Sequence, residues 1–214
     1  MAALLLLGAG GHARVVAETA LATGGFSRIA FLDDRCTGPA QLPDQLGWPV
    51  IGSFTAALDP QIRQQFLEAL VAIGNAAVRL QWLSRLASAG YELPVVVHPT
   101  AWVSPSSQLG AGSVVFAQVA IQAQAVIGSG AILNTGCSVD HDVKLGDGVH
   151  VCPGARLAGE VQVGDRSWIG IGASVIQQIR IGADVTVGAG AAVVRDLPDG
   201  VTAVGVPARA LPTA

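Results

Sequence analysis

The sequence carries little charge and few aromatic side chains. Of its 214 residues, 13% are charged and 5% are aromatic, whereas 51% are apolar. The formal net charge of −3 favours neither a nucleic acid nor an anionic membrane as a partner. A chain with this much apolar and this little charged sequence is expected to fold, because disorder needs low hydrophobicity and high net charge. Its length suits one ordinary domain or two small ones.

Long apolar runs and paired cysteines are also missing. The longest apolar run, Met1 to Leu7, has seven residues, against roughly twenty for a membrane-spanning helix. It lacks the basic start of a secretory signal, and glycines end it at once, so we predict a first β-strand. The three cysteines, Cys36, Cys137 and Cys152, form no C-x-x-C pair, which is typical of reduced thiols in a cytoplasmic protein.

The second half of the chain has an unbroken six-residue repeat. Sixteen positions, taken in steps of six from Val103 to Val193, are all Val, Leu or Ile. Glycine often follows the aliphatic residue, and the residue four places after it is often Ala, Ser or Cys. A period of six is the signature of a β-solenoid, in which each hexad forms one short strand and one corner.

Three hexads close one triangular coil of eighteen residues, and coils stack at strand spacing, so residues eighteen apart lie above one another. The aliphatic side chain points into the prism. Sixteen hexads predict five coils and one further hexad, in the left-handed parallel β-helix of the hexapeptide-repeat proteins. A β-sandwich would need a period of two and irregular turns. We assign residues 99–198 to the solenoid and 199–214 to a C-terminal tail.

Residues 1–98 lack this period and predict a small Rossmann-like α/β domain. Strands are expected at Ala3–Leu7, Ile29–Leu32, Ala69–Ile73 and Leu93–Val97, and helices at Ala13–Thr23 and Ala76–Ala89, with a loop over residues 35–54. Four strands cannot supply both halves of a dinucleotide-binding fold. The domain size therefore favours a smaller nucleotide-bearing ligand.

The candidate ligand-binding residues of this domain follow its strands. Gly8-x-Gly10-x-x-Ala13, with an acidic residue about twenty positions later, satisfies a weak nucleotide-binding pattern. Gly10, Gly11, His12, Asp33, Asp34 and Gly74 would converge on one sheet edge, where α/β proteins bind ligands. The alternative is that these glycines only permit a tight turn.

His141 is the candidate catalytic residue of the solenoid. It lies in a corner between Asp140 and Asp142, and the residues eighteen positions away, Ala123 and Gly159, are small and should leave open space. A carboxylate bonded to one imidazole nitrogen raises the basicity of the other. An exposed histidine without a role is the simpler alternative. His150, which stacks under Trp168, is either a ligand contact or a packing residue.

Metal binding and covalent catalysis are not indicated. Metal-dependent solenoid enzymes need three imidazoles, and this solenoid offers two, nine residues apart. We therefore expect no metal. Cys137 and Cys152 fall at repeat positions that a small core residue fills, so an acyl-cysteine intermediate is not expected.

A set of short motifs lies in a fixed order along the whole chain. They are Gly8-Ala9-Gly10-Gly11-His12, Phe31-Leu32-Asp33-Asp34, Ala72-Ile73-Gly74-Asn75 with Arg79, Asn134-Thr135, His141-Asp142, His150, and Gly205-Val206-Pro207-Ala208-Arg209. In these motifs the chain resembles bacterial sugar acetyltransferases of the hexapeptide-repeat type, which act on nucleotide-activated amino sugars or on sialic acid.

The resemblance implies a role for each candidate. His141 would be the general base, oriented by Asp142, and Gly10, Gly11, His12, Asp33, Asp34 and Gly74 would hold the nucleotide sugar. Acetyl-CoA would contact His150, Ile171 and Ala189, the last two through their backbone, with a contribution from the tail. The family assembles as a trimer, with acetyl-CoA between neighbouring prisms.

The expected reaction is direct acetyl transfer from acetyl-CoA to the amino group of a nucleotide-linked amino sugar, such as a UDP- or GDP-4-amino-deoxy sugar, in surface glycan synthesis. The acceptor would lose its proton to His141, and the backbone N–H of Gly159 would stabilise the oxyanion. Two alternatives stay open: O-acetylation of sialic acid or a related sugar, and a non-catalytic nucleotide-sugar-binding protein.

Overall fold

A computed structural model describes residues 2–36 and 43–212, and the chain divides into two compact units, Met1–Val97 and His98–Ala214. Part of the predicted loop, residues 37–42, lies outside the described residues. No helix among the described residues has both the length and the apolarity needed to cross a membrane.

The first unit is a small α/β domain. Its elements are β1 (Ala2–Leu7), α1 (Gly11–Ala22), β2 (Phe26–Leu32), a 3₁₀ turn (Phe54–Leu58), α2 (Pro60–Gln65), β3 (Glu68–Val71), α3 (Ala76–Ser88) and β4 (Val96–Val97). The first three strands form a parallel sheet in the order β2-β1-β3. The predicted first strand is confirmed, and both predicted helices are present within two residues of their expected starts.

The apolar start of the chain forms the centre of this sheet. Leu4 to Leu7 are all fully buried, as expected for a parallel strand with both faces covered. Phe31, Phe66 and Leu86 are also fully buried. Such burial stabilises the unit by roughly 1.5–3 kcal/mol for each large side chain.

The prediction of a fourth strand over Leu93–Val97 is wrong, because the strand is shorter and does not belong to the sheet that contains β1. Only Val96–Val97 is extended as a strand, and the described sheet that contains β1 has three strands. In its place, Glu92 makes a single parallel bridge to Glu68 at the edge of that sheet. Pro94 explains part of this, because proline cannot donate a hydrogen bond to a sheet.

The second unit is a parallel β-solenoid, as the six-residue repeat predicts. All sixteen repeat aliphatics occupy the second position of a two-residue strand. These strands, β5 to β20, are Trp102–Val103, Gln108–Leu109, Val114–Val115, Ala120–Ile121, Val126–Ile127, Ile132–Leu133, Ser138–Val139, Lys144–Leu145, His150–Val151, Arg156–Leu157, Gln162–Val163, Trp168–Ile169, Ser174–Val175, Arg180–Ile181, Thr186–Val187 and Ala192–Val193. After them, β21 (Thr202–Val204) pairs in parallel with β19, and β22 (Arg209–Ala210) pairs antiparallel with β21.

Each of the strands β8 to β17 pairs with the strands eighteen residues before and after it. Ser138 pairs with Ala120 on one side and with Arg156 on the other. From Val115 onward every repeat aliphatic is at most 4% exposed, while Val103 and Leu109 in the first coil are partly exposed. The aliphatic residues therefore form one continuous core along the prism.

Stacking of the coils makes glycine necessary at one corner. At Gly164, a Cβ atom would lie 2.5 Å from the Ala183 backbone nitrogen of the next coil. Gly146 and Gly128 face the same obstacle one and two coils earlier. At Gly172, by contrast, φ is +66° and no atom lies within 4 Å of the place a Cβ would occupy, so only the backbone conformation favours glycine.

This difference gives a stability prediction. Gly164→Ala should lower the free energy of unfolding by about 1–3 kcal/mol, because the neighbouring backbone must move. Gly172→Asn is the matched control and should cost less than about 1 kcal/mol, since Asn tolerates the left-handed conformation. Chemical denaturation followed by circular dichroism measures both. Equal losses would show that coil spacing does not restrict residue size at position 164.

Candidate active site

The candidate base, His141, lies in a corner between two strands of the solenoid. His141 falls in the turn between β11 (Ser138–Val139) and β12 (Lys144–Leu145), and about half of its side chain is exposed. The backbone N–H of His141 donates to Asp140 Oδ1 over 2.8 Å. The turn and this bond fix the backbone that carries the imidazole.

His141 and Asp142 form a hydrogen-bonded dyad. His141 Nδ1 lies 2.9 Å from Asp142 Oδ2. With Nδ1 donating to the carboxylate, Nε2 carries the lone pair and is free to accept a proton. The hydrogen bond to Asp142 raises the pKa of His141, and the charges of Asp140, Asp142 and Glu160 act in the same direction. These are the properties of a general base.

The imidazole lies directly over Gly159 of the next coil. A Cβ atom at Gly159 would be 2.5 Å from both Cε1 and Nε2 of His141. The space that the sequence led us to expect here is therefore filled by the ring of His141 itself, and only glycine allows that position. The Gly159 N–H makes no hydrogen bond to another described residue, so it stays available to an oxyanion.

The corner that carries Asp142 differs from the other two corners. Its residues at the left-handed turn position are all polar, whereas the corresponding positions of the other corners are mostly glycine. Gln124, Asp142, Glu160 and Gln178 have φ between +59° and +63°. A side chain such as Gln or Glu costs roughly 1–2 kcal/mol in this conformation, which Asp tolerates better. Such strain is found most often at functional sites.

Sequence reasoning missed Glu160. It lies one coil above Asp142, its backbone N–H donates to the His141 carbonyl over 2.9 Å, and its charge raises the pKa of His141. Asp142 and Glu160 also line a polar groove of about 660 Å³. The eighteen-residue spacing from Asp142 was the signal that could have found it.

The expected acetyl-CoA contacts lie at another corner and on an adjoining strand. Ile171 is 61% exposed, and Ala189 is exposed one coil above it, with the Gly190 N–H bonded to the Ile171 carbonyl. Neither Ile171 nor Ala189 donates its own N–H to another described residue. Both N–H groups are therefore unbonded among the described residues, and the acetyl-CoA contacts stay a prediction.

His150 is a packed side chain. It is 7% exposed, and its ring centroid lies 4.2 Å from that of Trp168. Its Nε2 atom lies 3.2 Å from Asn134 Nδ2. The stacking under Trp168 is as the repeat predicts. Only an edge of this ring can contact a ligand.

In the first unit, the glycines divide into two kinds. Gly8 has φ of +113°, and a Cβ there would lie 2.7 Å from the Ala72 carbonyl oxygen, so the fold itself requires glycine. Nothing lies within 4 Å of a Cβ at Gly10 or Gly74, and at Gly11 the nearest atom is Arg14 Nη2 at 3.8 Å. The fold leaves this space open, as close approach of a ligand to the backbone would require.

These open glycines lie at the helix starts that follow β1 and β3. Gly10 precedes α1, which has no side-chain cap, whereas Asn75 Oδ1 caps α3 by accepting from the Val78 N–H. Because β1 and β3 are parallel neighbours, their carboxyl ends share one sheet edge. An uncapped helix N-terminus at such an edge attracts anions.

Both acids after β2 have bonds within the unit. Asp33 accepts from the Ala9 N–H over 2.9 Å and from Arg35 Nε over 2.8 Å. The hydrogen bond from Arg35 is the main reason that the pKa of Asp33 falls to about 2. Asp34 accepts from the Phe54 N–H. Asp33 therefore holds the glycine-rich turn in place.

His12 is neutral at physiological pH. Burial is the main cause and the charge of Arg79 the second cause that lower its pKa to about 4. The two cysteines of the solenoid are also inert. Cys137 and Cys152 are buried, and desolvation raises the pKa of each thiol to about 12. Neither forms a thiolate nucleophile near neutral pH.

Comparison with known proteins agrees with this division of the chain. Residues 3–86 match the family model described as the PglD N-terminal domain, and residues 124–159 match the bacterial transferase hexapeptide model. A UDP-N-acetylbacillosamine N-acetyltransferase of Bacillus subtilis is 38% identical over 122 residues. That alignment covers 52% of this chain and 50% of the relative, so it spans about half of each.

Solved structures match the whole chain. The acetyltransferase domain of PglB from Neisseria gonorrhoeae is 45% identical with a TM-score of 0.92, covering 99% of this chain and 100% of that one. A mutant of perosamine N-acetyltransferase from Caulobacter crescentus, solved with CoA and GDP-perosamine, is 42% identical with a TM-score of 0.93, covering 100% of this chain and 98% of that one. The PglB domain has also been solved with acetyl coenzyme A.

Fold and sequence together define a hexapeptide-repeat acetyltransferase. More narrowly, the chain belongs to the family of bacterial sugar N-acetyltransferases that contains the PglB acetyltransferase domain and perosamine N-acetyltransferase.

The dyad makes a testable prediction about proton affinity. Asp142→Asn should lower the pKa of His141, because the imidazolium loses the acceptor that stabilises it. NMR titration of the His141 ring measures this directly. Asp184→Asn is a matched control, since that corner aspartate pairs with Arg166 instead. An unchanged His141 pKa in Asp142→Asn would contradict the dyad.

Proposed function

We propose that this protein transfers the acetyl group of acetyl-CoA to the amino group of a nucleotide-linked amino sugar. The observation that carries the proposal is the His141–Asp142 dyad lying over Gly159, whose N–H bonds to no other described residue, in a chain matched from end to end by sugar N-acetyltransferases. A UDP- or GDP-4-amino-deoxy sugar used in surface glycan synthesis is the expected acceptor. The proposed location is the cytoplasm.

The proposed reaction needs no covalent enzyme intermediate. The sugar amine attacks the thioester carbonyl carbon, and Nε2 of His141 takes a proton from the amine nitrogen. The Gly159 N–H stabilises the oxygen that becomes negative. When the carbon–sulfur bond breaks, the imidazolium returns its proton to the CoA thiolate, which leaves an amide and free CoA. The high pKa of Cys137 and Cys152 supports direct transfer.

Each unit has a separate task in this proposal. Gly10, Gly11, His12 and Gly74 hold the nucleotide sugar, with Asp33 and Asp34 shaping the adjoining loops. The solenoid supplies the base and the backbone contacts of Ile171 and Ala189 to acetyl-CoA, together with the exposed edge of His150 and the tail at residues 199–214.

A panel of acceptors tests the proposal. CoA release is measured with UDP-, GDP- and CMP-linked sugars that carry either an amino group or only hydroxyl groups, and the products are identified by NMR. We expect turnover with a UDP- or GDP-linked 4-amino sugar and an amide product. Turnover confined to hydroxyl acceptors such as sialic acid would indicate O-acetylation, and no turnover on any acceptor would indicate a binding protein.

His141→Ala should lower kcat by about 10²- to 10⁴-fold, which is the usual contribution of a general base. The side chain is half-exposed, so the unfolding free energy should change by no more than about 1 kcal/mol. Acetyl-CoA affinity, measured by calorimetry, should stay close to that of the wild type. His98→Ala is the control and should keep its turnover. A folded His141→Ala protein with most of its activity would remove His141 from the mechanism.

We further propose a homotrimer with acetyl-CoA between neighbouring solenoids. His141 and Ile171 lie at different corners of one prism, and both are exposed. A second solenoid facing these corners would complete a site that one solenoid leaves open. Light scattering should give the mass of three chains. A fully active monomer across micromolar concentrations would contradict this assembly.

A further inference from the structure

Arg79 is a buried charge for which the proposed reaction has no direct use. It lies on α3, is 1% exposed, and is the largest fully buried side chain in the described part of the chain. Burial lowers its pKa to about 10, so it stays charged at physiological pH. A buried cation is expensive unless its donors are bonded.

The guanidinium binds the turn between β3 and α3. Nη1 of Arg79 donates to the carbonyl oxygens of Ile73 and Gly74, over 2.7 and 2.9 Å. In a planar trans peptide, the N–H points opposite to the carbonyl. Because Arg79 draws both carbonyls inward, the N–H groups of Gly74 and Asn75 are turned the other way.

Those two N–H groups face unfilled space. Gly74 and Asn75 are exposed, and neither N–H makes a hydrogen bond to another described residue. Nothing lies within 4 Å of a Cβ at Gly74. Successive backbone N–H groups that point into one space form an anion-binding concavity.

The surroundings of this concavity favour negative charge. Arg79 acts electrostatically on His12, in the first turn of α1, so its charge reaches the uncapped start of that helix. The turns after β1 and β3 share one sheet edge. Asp33, the nearby acid, is already paired with Arg35. A ligand at this edge meets a helix N-terminus, two free N–H groups and a buried cation.

We propose that Arg79 is a positioning residue that aims the Gly74 and Asn75 N–H groups at the diphosphate of the nucleotide-linked sugar. This inference rests on the proposed function. Arg79 touches no ligand itself; it acts by fixing two peptide planes and by adding positive charge beneath them. Its loss should weaken binding of the diphosphate more than binding of the nucleoside.

Ligand affinities separate this role from a purely structural one. GDP and UDP are compared with guanosine and uridine, by calorimetry or by ligand-observed NMR for the weak nucleosides. In Arg79→Met, the affinity for the preferred diphosphate should fall by about 10- to 100-fold, the range for hydrogen bonds to a charged group. The nucleoside affinity should hardly change. Arg85→Met, an exposed arginine of the same helix, is the matched control and should bind as the wild type does.

A second pair of variants tests the N–H groups without disturbing the buried charge. Asn75 has φ of −66°, which proline adopts, so Asn75→Pro removes one N–H in the same conformation. Asn75→Ala loses the same helix cap but keeps the N–H. We expect Asn75→Pro to bind the diphosphate at least about 10-fold more weakly than Asn75→Ala. This pair decides the question if Arg79→Met does not fold.

The outcomes also separate this inference from the proposed function. Equal loss of diphosphate and nucleoside affinity in Arg79→Met, or equal diphosphate affinity in the two Asn75 variants, would overturn the role of Arg79 and leave the nucleotide site standing. A wild-type protein that binds neither GDP nor UDP, and no sugar nucleotide of the acceptor panel, would overturn both.

Discussion

The stacking of coils at a register of eighteen residues is the constraint on which the solenoid depends. The second residue of each two-residue strand points into the prism, and the strand backbone pairs with the coils on either side. This spacing leaves no room for a side chain at Gly164, where glycine lets the coils meet. At Gly159 the obstacle is the imidazole of His141 itself, and glycine there lets the ring lie against the next coil. The same constraint therefore builds the core and positions the base.

The corner beside His141 departs from the most stable solution. Glycine occupies most left-handed positions of the other corners, but here Asp142 and Glu160 adopt that conformation with charged side chains. The same two carboxylates raise the pKa of His141. In the first unit, the buried charge of Arg79 also departs from an apolar core, and it fixes a turn that faces open space.

The solenoid could be predicted from sequence because its contacts follow a fixed spacing. The period located all sixteen strands, and it placed His150 under Trp168 and His141 next to Gly159. The first unit has no such period. The pairing of Asp33 with Arg35, the burial of Arg79 and the shortening of the fourth strand depend on contacts between elements at irregular separations. The glycines marked the proposed ligand edge, but sequence alone could not separate Gly8, which the fold requires, from Gly10 and Gly74, which it does not.

The most direct test of the account is a crystal structure with CoA and a nucleotide-linked 4-amino sugar bound together. The account predicts that the sugar amine nitrogen lies within about 3 Å of His141 Nε2, at hydrogen-bond distance. It also predicts that the CoA sulfur lies beside the Gly159 N–H. A sugar amine that faces a different base, with His141 in contact only with solvent, would contradict it.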